Sequence, residues 1–299
     1  MALSLGNIIG LVEEAGNIFR KPEMIPMKTL LKRPAIDSAK QFAWYTASVA
    51  CPPDTLRAWS CKSCKIASNT PVSDVVPFKN MTSGASGYVG VDHARKTILV
   101  AFRGTNNIDN AIHDLTYDQV PFEDAEDPEV LVHSGFLTSL TSLDSYYMPP
   151  LKKALRDPKS RAYTVTLLGI SLGACEATLA TMRIHHQLGV DWSRINLYAF
   201  APPRTGNLAF ARLFNSKPMT ATRIVNYSDL VPHFPTAAKY VHIQHQLFVD
   251  RSQPNITTRY CDDTVLEDPA CSNAISPLRC DALSHFYVWE TEFHPIFAC

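Results

Sequence analysis

The sequence predicts an α/β protein, a mostly parallel sheet with helices on both faces, and three observations carry that expectation. From about residue 87 onward, β-branched apolar runs alternate with helix-forming runs, the pattern of strands joined by crossover helices. The run Tyr163-Thr164-Val165-Thr166-Leu167-Leu168 passes through Gly169-Ile170-Ser171-Leu172-Gly173 into a stretch from Ala174 to Met182 free of Gly and Pro, which reads as strand, tight turn and helix. With 299 residues, 46% hydrophobic and 19% charged, the chain can bury a sizeable core, and one domain over 1–299 is expected.

The elements follow in order. Leu3, Ile8, Ile9, Leu11, Val12 and Ile18 fit an amphipathic helix, and the N-terminal part reads as helical through Ala50. A loop punctuated by Cys and Pro runs from Cys51 to about Pro77. Gly87-Tyr88-Val89-Gly90-Val91 and Thr97-Ile98-Leu99-Val100-Ala101-Phe102 form a hairpin across Asp92 to Lys96. A helix after Gly135, the strand to Leu168, a helix after Ser171, a strand over Ile195 to Phe200, a helix near Leu208 to Phe214 and a strand over Thr222 to Asn226 complete the alternation. Sites in such sheets form at the carboxyl ends of strands, and Ser171 falls at one.

Composition narrows the function. Lysine plus arginine and aspartate plus glutamate number 28 each, so no overall basic field recruits nucleic acid. The apolar stretch from Val165 to Met182 is interrupted by two glycines, Ser171 and Glu176, and no transmembrane segment is expected. Eight cysteines point to disulfides and an oxidising, extracellular compartment. No Lys or Arg precedes the N-terminal apolar stretch, and Glu13 and Glu14 break it, so a secretion signal is expected to be absent from this sequence. Three sequons begin at Asn80, Asn226 and Asn255. Asn80 and Asn255 are the glycosylation candidates, whereas Asn226 sits in a strand and should be buried.

G-x-S-x-G between a strand and a helix is the context of a nucleophile elbow. A serine hydroxyl needs a base to take its proton and an acid to orient that base. In chain order after such an elbow the acid precedes the histidine. Asp229 follows the strand-like Arg223 to Tyr227; the bland alternative is a turn aspartate ahead of Pro232. His285 is the base expected, near the C-terminus after the last sheet elements. His233 lies too near Asp229 in the chain to bridge acid and serine, and His242, His245 and His294 are the other competitors. The oxyanion calls for two donors, and the Leu172 amide directly after Ser171 supplies one. Phe102-Arg103-Gly104-Thr105 ends the strand from Thr97, so Thr105 is the second candidate; the alternative there is an ordinary strand-ending turn.

Together with Val132-His133-Ser134-Gly135-Phe136, Tyr198-Ala199-Phe200-Ala201-Pro202-Pro203-Arg204-Thr205-Gly206-Asn207 and Asn226-Tyr227-Ser228-Asp229-Leu230-Val231-Pro232, these segments resemble the fungal class 3 lipases from about Gly87 to His285. Within that family the likeness is nearest to the secreted mono- and diacylglycerol lipases of lipid-dependent (Malassezia-type) yeasts. The resemblance implies an α/β-hydrolase fold, the triad Ser171, Asp229 and His285, an oxyanion hole at Thr105 and Leu172, and a short helical lid. It also implies disulfides Cys51–Cys299, Cys61–Cys64 and Cys261–Cys271, leaving Cys175 and Cys280 free. A zinc or redox reading of Cys61-x-x-Cys64 finds no second C-x-x-C and no thioredoxin-like setting. Two positions depart from the common pattern: Ile170 stands where many members carry His, and Ala111 where the lid often carries Trp.

The lid is expected over about 106–118, where Ile108, Ile112 and Leu115 recur at i, i+4 and i+7. Burying three such side chains is worth about 5 kcal/mol, enough to close a short helix over an apolar cleft in water. A plain amphipathic helix has the same stripe. The function expected is hydrolysis of acylglycerols by a secreted, monomeric serine lipase at a lipid–water interface, with no cofactor and no metal. A feruloyl or other carboxylic esterase is the enzyme alternative, and a catalytically silent lipid-binding protein the alternative of another class.

Overall fold

The structure, a computed structural model, describes residues 26–105, 117–236, 239–252, 255–294 and 298–299. The strands described are β1 Ser73–Lys79, β2 Ser86–Asp92, β3 Thr97–Phe102, β4 Gln119–Pro121, β5 Leu131–His133, β6 Thr164–Ile170, β7 Ile195–Phe200, β8 Thr220–Asn226, β9 Gln246–Asp250, β10 Thr257–Tyr260, β11 Tyr287–Val288 and β12 Thr291–Glu292. Eight of them form one sheet in the order β1-β2-β3-β6-β7-β8-β9-β10. Pairing is parallel from β3 through β9 and antiparallel at both edges.

Both faces of this sheet are covered, which is why its central strands read as continuous apolar runs. Ile98, Val100, Phe102, Val165 and Leu167 pack with Phe136, Tyr147, Leu151 and Leu179 from the helices Ser134–Thr141, Asp144–Arg156 and Leu172–Leu188. Leu99, Ala101, Leu168 and Ile170 point the other way, toward Phe42 and Ala43 of the helix Ile36–Ser48. The period of two along each strand thus divides one apolar sequence between two cores.

The expected hairpin is β2 and β3, with Asp92 opposite Thr97, and the alternating β6, β7 and β8 fall where the sequence places them. The segment from Cys51 to Pro77 differs: it holds the short helices Pro53–Arg57 and Lys62–Ala67 and the start of β1. Pro77 lacks an N–H for a ladder, which an edge strand tolerates because one side of it has no partner. β9 begins at Gln246, directly after His245.

Disulfides join Cys51 to Cys299, Cys61 to Cys64 and Cys261 to Cys271, while Cys175 is free and buried and Cys280 free and half-buried. Asn255 is exposed and Asn226 buried. Asn80 is half-buried; its Nδ2 donates to the Ser142 carbonyl at 3.0 Å and its Oδ1 accepts from the amides of Thr82 and Ser83. Residues 1–25 and 106–116 lie outside the described residues, and with them the N-terminal amphipathic stretch, Ala111 and the lid residues Ile108, Ile112 and Leu115. Among the described residues no helix is long and apolar enough to cross a membrane.

Candidate active site

Ser171 sits between β6 and the helix Leu172–Leu188, at φ 58° and ψ −127°. A side chain in that left-handed region is strained by about 1–3 kcal/mol, so the surroundings must hold it there. They do so closely. A Cβ on Gly169 would lie 2.0 Å from the Gly173 carbonyl oxygen, and one on Gly173 would lie 2.4 Å from the Phe102 carbonyl oxygen. The two glycines are therefore required by packing as well as by the turn. The Ser171 amide donates to the Phe200 carbonyl at 2.9 Å, tying the turn to the end of β7.

Parallel pairing of β3 with β6 sets Phe102 beside Gly169, so Arg103-Gly104-Thr105 emerges against the elbow. Gly104 has no room for a side chain, since its Cβ would lie 2.8 Å from the Ile170 carbonyl oxygen and 3.0 Å from the Ser171 Cβ. Thr105 is half-buried and lines the same cavity as Ser171. Leu172 opens the helix, its amide among those that have no carbonyl one turn back.

Asp229 follows β8 in a turn closed by its own amide to the Asn226 carbonyl at 2.9 Å. Its carboxylate is fully buried, and Oδ1 accepts the Val231 amide at 2.9 Å. His285, in the 3₁₀ turn Leu283–Phe286, sets Nδ1 3.0 and 3.1 Å from the two carboxylate oxygens of Asp229. That contact fixes the ring and leaves Nε2 buried with no hydrogen-bond partner among the described residues. His285 and Ser171 line one cavity of about 80 Å³.

The competing histidines have other engagements. The His242 Nε2 is 2.8 Å from the Pro232 carbonyl, His245 pairs with Asp263 at 3.1 Å, and His233 lies against the Cys280 thiol. Burial holds the His233 imidazole down at about 4, so it stays neutral near pH 7. His294 does reach the cavity wall, with Phe286 and Phe293. Thr46, from the end of the Ile36–Ser48 helix, and Val49 and Ala50 just after it also line the cavity. The sequence reading missed this wall, although the Cys51–Cys299 pairing could have found it, because that bond brings residue 50 next to the C-terminal segment.

Behind the elbow, Glu176 is fully buried on the same helix. Burial pushes its carboxyl up to about 8, against the Ser139 hydroxyl, which donates to it at 2.5 Å, and the nearby Arg103 charge. Cys261, Asp268 and Cys271 also cluster, but the two sulfurs are bonded to each other and offer no thiolate.

Residues 99–239 match the class 3 lipase family model, a span that holds Thr105, Ser171 and Asp229 and stops short of His285. The chain is 29% identical over 232 residues to a lipase of Rhizomucor miehei, covering 76% of this chain and 62% of that protein. It is 29% identical over 184 residues to the secreted mono- and diacylglycerol lipase A of Penicillium cyclopium, covering 61% of this chain and 57% of that one. The chain thus spans less than two thirds of the curated relatives it matches. The crystal structure of a lipase from Rhizopus microsporus var. chinensis aligns with a TM-score of 0.77 at 26% identity, over 92% of this chain and 95% of that one. The shared fold is of the α/β-hydrolase type.

Proposed function

We propose that this chain, a homologue of fungal lipases with a class 3 lipase match over residues 99–239, is a secreted serine hydrolase of acylglycerol esters. The carrying observation is the pairing of His285 Nδ1 with both carboxylate oxygens of Asp229 beside a cavity that also holds Ser171. In the mechanism this supports, the Ser171 Oγ attacks the ester carbonyl carbon while His285 Nε2 takes the hydroxyl proton. Asp229 accepts the Nδ1–H bond and stabilises the imidazolium. The carbonyl oxygen, now negative, is held by the Leu172 amide and Thr105 at the positive end of the Leu172–Leu188 helix. Collapse breaks the bond to the alcohol, which leaves with the proton from His285. Water then repeats the sequence on the acyl-serine, and fatty acid departs.

The preference for mono- and diacylglycerols rests on the Penicillium relative's name, and interfacial gating rests on the Ile108, Ile112 and Leu115 stripe. Three disulfides fit an extracellular setting, and the enzyme is proposed to act as a monomer. A fluorophosphonate probe followed by peptide mapping tests the reading. A single adduct on Ser171 is expected, and an unlabelled protein would instead mark a silent lipid-binding relative. A panel of mono-, di- and triacylglycerols with a feruloyl ester separates a lipase from an aryl esterase. Lid gating predicts a rise in rate where a short-chain ester passes its solubility limit, and a smooth saturating curve there contradicts it.

A further inference from the structure

Asp229 and His285 come from turns 56 residues apart, and among the described residues an isolated parallel bridge links Asp229 to Asp281, four residues before His285. The contact between the turns runs through Asp281. Its amide donates to the Ser228 carbonyl at 2.9 Å. Its Oδ2 accepts from the hydroxyls of Ser228 at 2.7 Å and Ser284 at 2.8 Å, and its Oδ1 accepts the Ser284 amide at 2.7 Å. The two hydroxyls are 2.9 Å apart. From the other side, the Asn226 amide group donates to the Ser284 carbonyl at 2.8 Å. Ser228 and Ser284 are the residues immediately before Asp229 and His285.

The geometry points to Asp281 as a positioning residue that locks the His285 turn onto the Asp229 turn, with Ser228 and Ser284 as its two handles. The carboxylate fastens both turns at once: Oδ1 caps the start of the 3₁₀ turn that carries His285, and Oδ2 reaches across to Ser228. The ionised carboxylate accepts from all three donors, whereas an amide in its place loses the charge and reverses the two hydroxyl bonds, its NH₂ donating to Ser228 and Ser284 in place of accepting from them. Partial desolvation works to raise the carboxyl of the exposed Asp281, but the Ser284 amide and the Ser228 and Ser284 hydroxyls outweigh it and hold it below the usual range. Asp281 touches no reacting atom; it acts through the angle and distance between His285 and Asp229.

This inference rests on the hydrolase reading, so its test carries two readouts. The first is steady-state hydrolysis of a soluble short-chain ester by wild type, Ser171→Ala, Asp281→Asn, Ser228→Ala and the Asp281→Asn/Ser228→Ala double variant. Asp281→Asn and Ser228→Ala should each lower kcat by about tenfold with KM unchanged, within the cost of small misplacements at a reacting centre. The double variant should be no worse than the poorer single, since both cut one link. The second readout is the low-field proton NMR signal of His285 Nδ1–H, identified by its loss in His285→Ala. In folded Asp281→Asn it should broaden through faster exchange with water. Wild-type kcat together with an unchanged signal in Asp281→Asn overturns the proposal, as does a purely additive double variant. Hydrolysis retained by Ser171→Ala sinks the hydrolase reading alone, and the proton signal then still decides the role of Asp281.

Discussion

Ser171 carries backbone strain at the position proposed for the nucleophile. Its φ of 58° suits glycine better than any side chain, so Ser171→Gly should abolish turnover and yet stabilise the fold by about 1 kcal/mol. Thermal melts of the two proteins check this, and a lower midpoint for the variant would contradict the strain. Gly169→Ala works in the opposite direction. Its new Cβ meets backbone 2.0 Å away, which cannot turn aside like a side chain, so a loss at or above the upper end of about 1–3 kcal/mol is expected.

The nucleophile helix carries a second consequence, through Glu176. Its carboxyl titrates at about 8 in the folded protein against 4.5 for the ordinary group, so the folded state holds the proton more tightly. That stability is full below about pH 4.5 and is lost as pH rises through about 8. Between pH 5 and 8 the melting temperature of wild type should therefore fall more steeply than that of Glu176→Gln, whose amide has no proton to lose. Parallel curves for the two proteins would contradict the assignment.

Elements of this kind also show how far the sequence was legible. β6, β7 and the nucleophile helix were readable because parallel strands buried on both faces leave unbroken apolar runs, and the glycines around Ser171 mark a turn few other residues permit. β1 was not, because an edge strand with an internal Pro77 has the local composition of a loop. Asp229 and His285 are expected from chain order and the chemical need for an acid and a base, and the structure sets the two in contact. The brace at Asp281 left no such trace: serines and an aspartate near a turn look the same in sequence whether they face solvent or one another.

At the scale of the whole molecule, the Cys51–Cys299 bond closes a separation of 248 residues and joins the two segments from which Thr46, Val49, Phe293 and His294 line the cavity. On the loop-entropy model, such a link is worth about 5 kcal/mol. Replacing both cysteines with serine should lower the melting temperature accordingly. It should also raise KM more than it lowers kcat, because Thr46, Val49, Phe293 and His294 shape the cavity while the triad hangs on other contacts. Equal KM in the two proteins would show that the wall holds without the bond.

The most direct measurement of the central claim is fatty-acid release from mono- and diacylglycerol emulsions by wild type and Ser171→Ala, prepared alike and matched by circular dichroism. The account predicts release by wild type and a fall of at least about 10³-fold in the variant, the scale on which a triad nucleophile contributes. Comparable release by both proteins would contradict it.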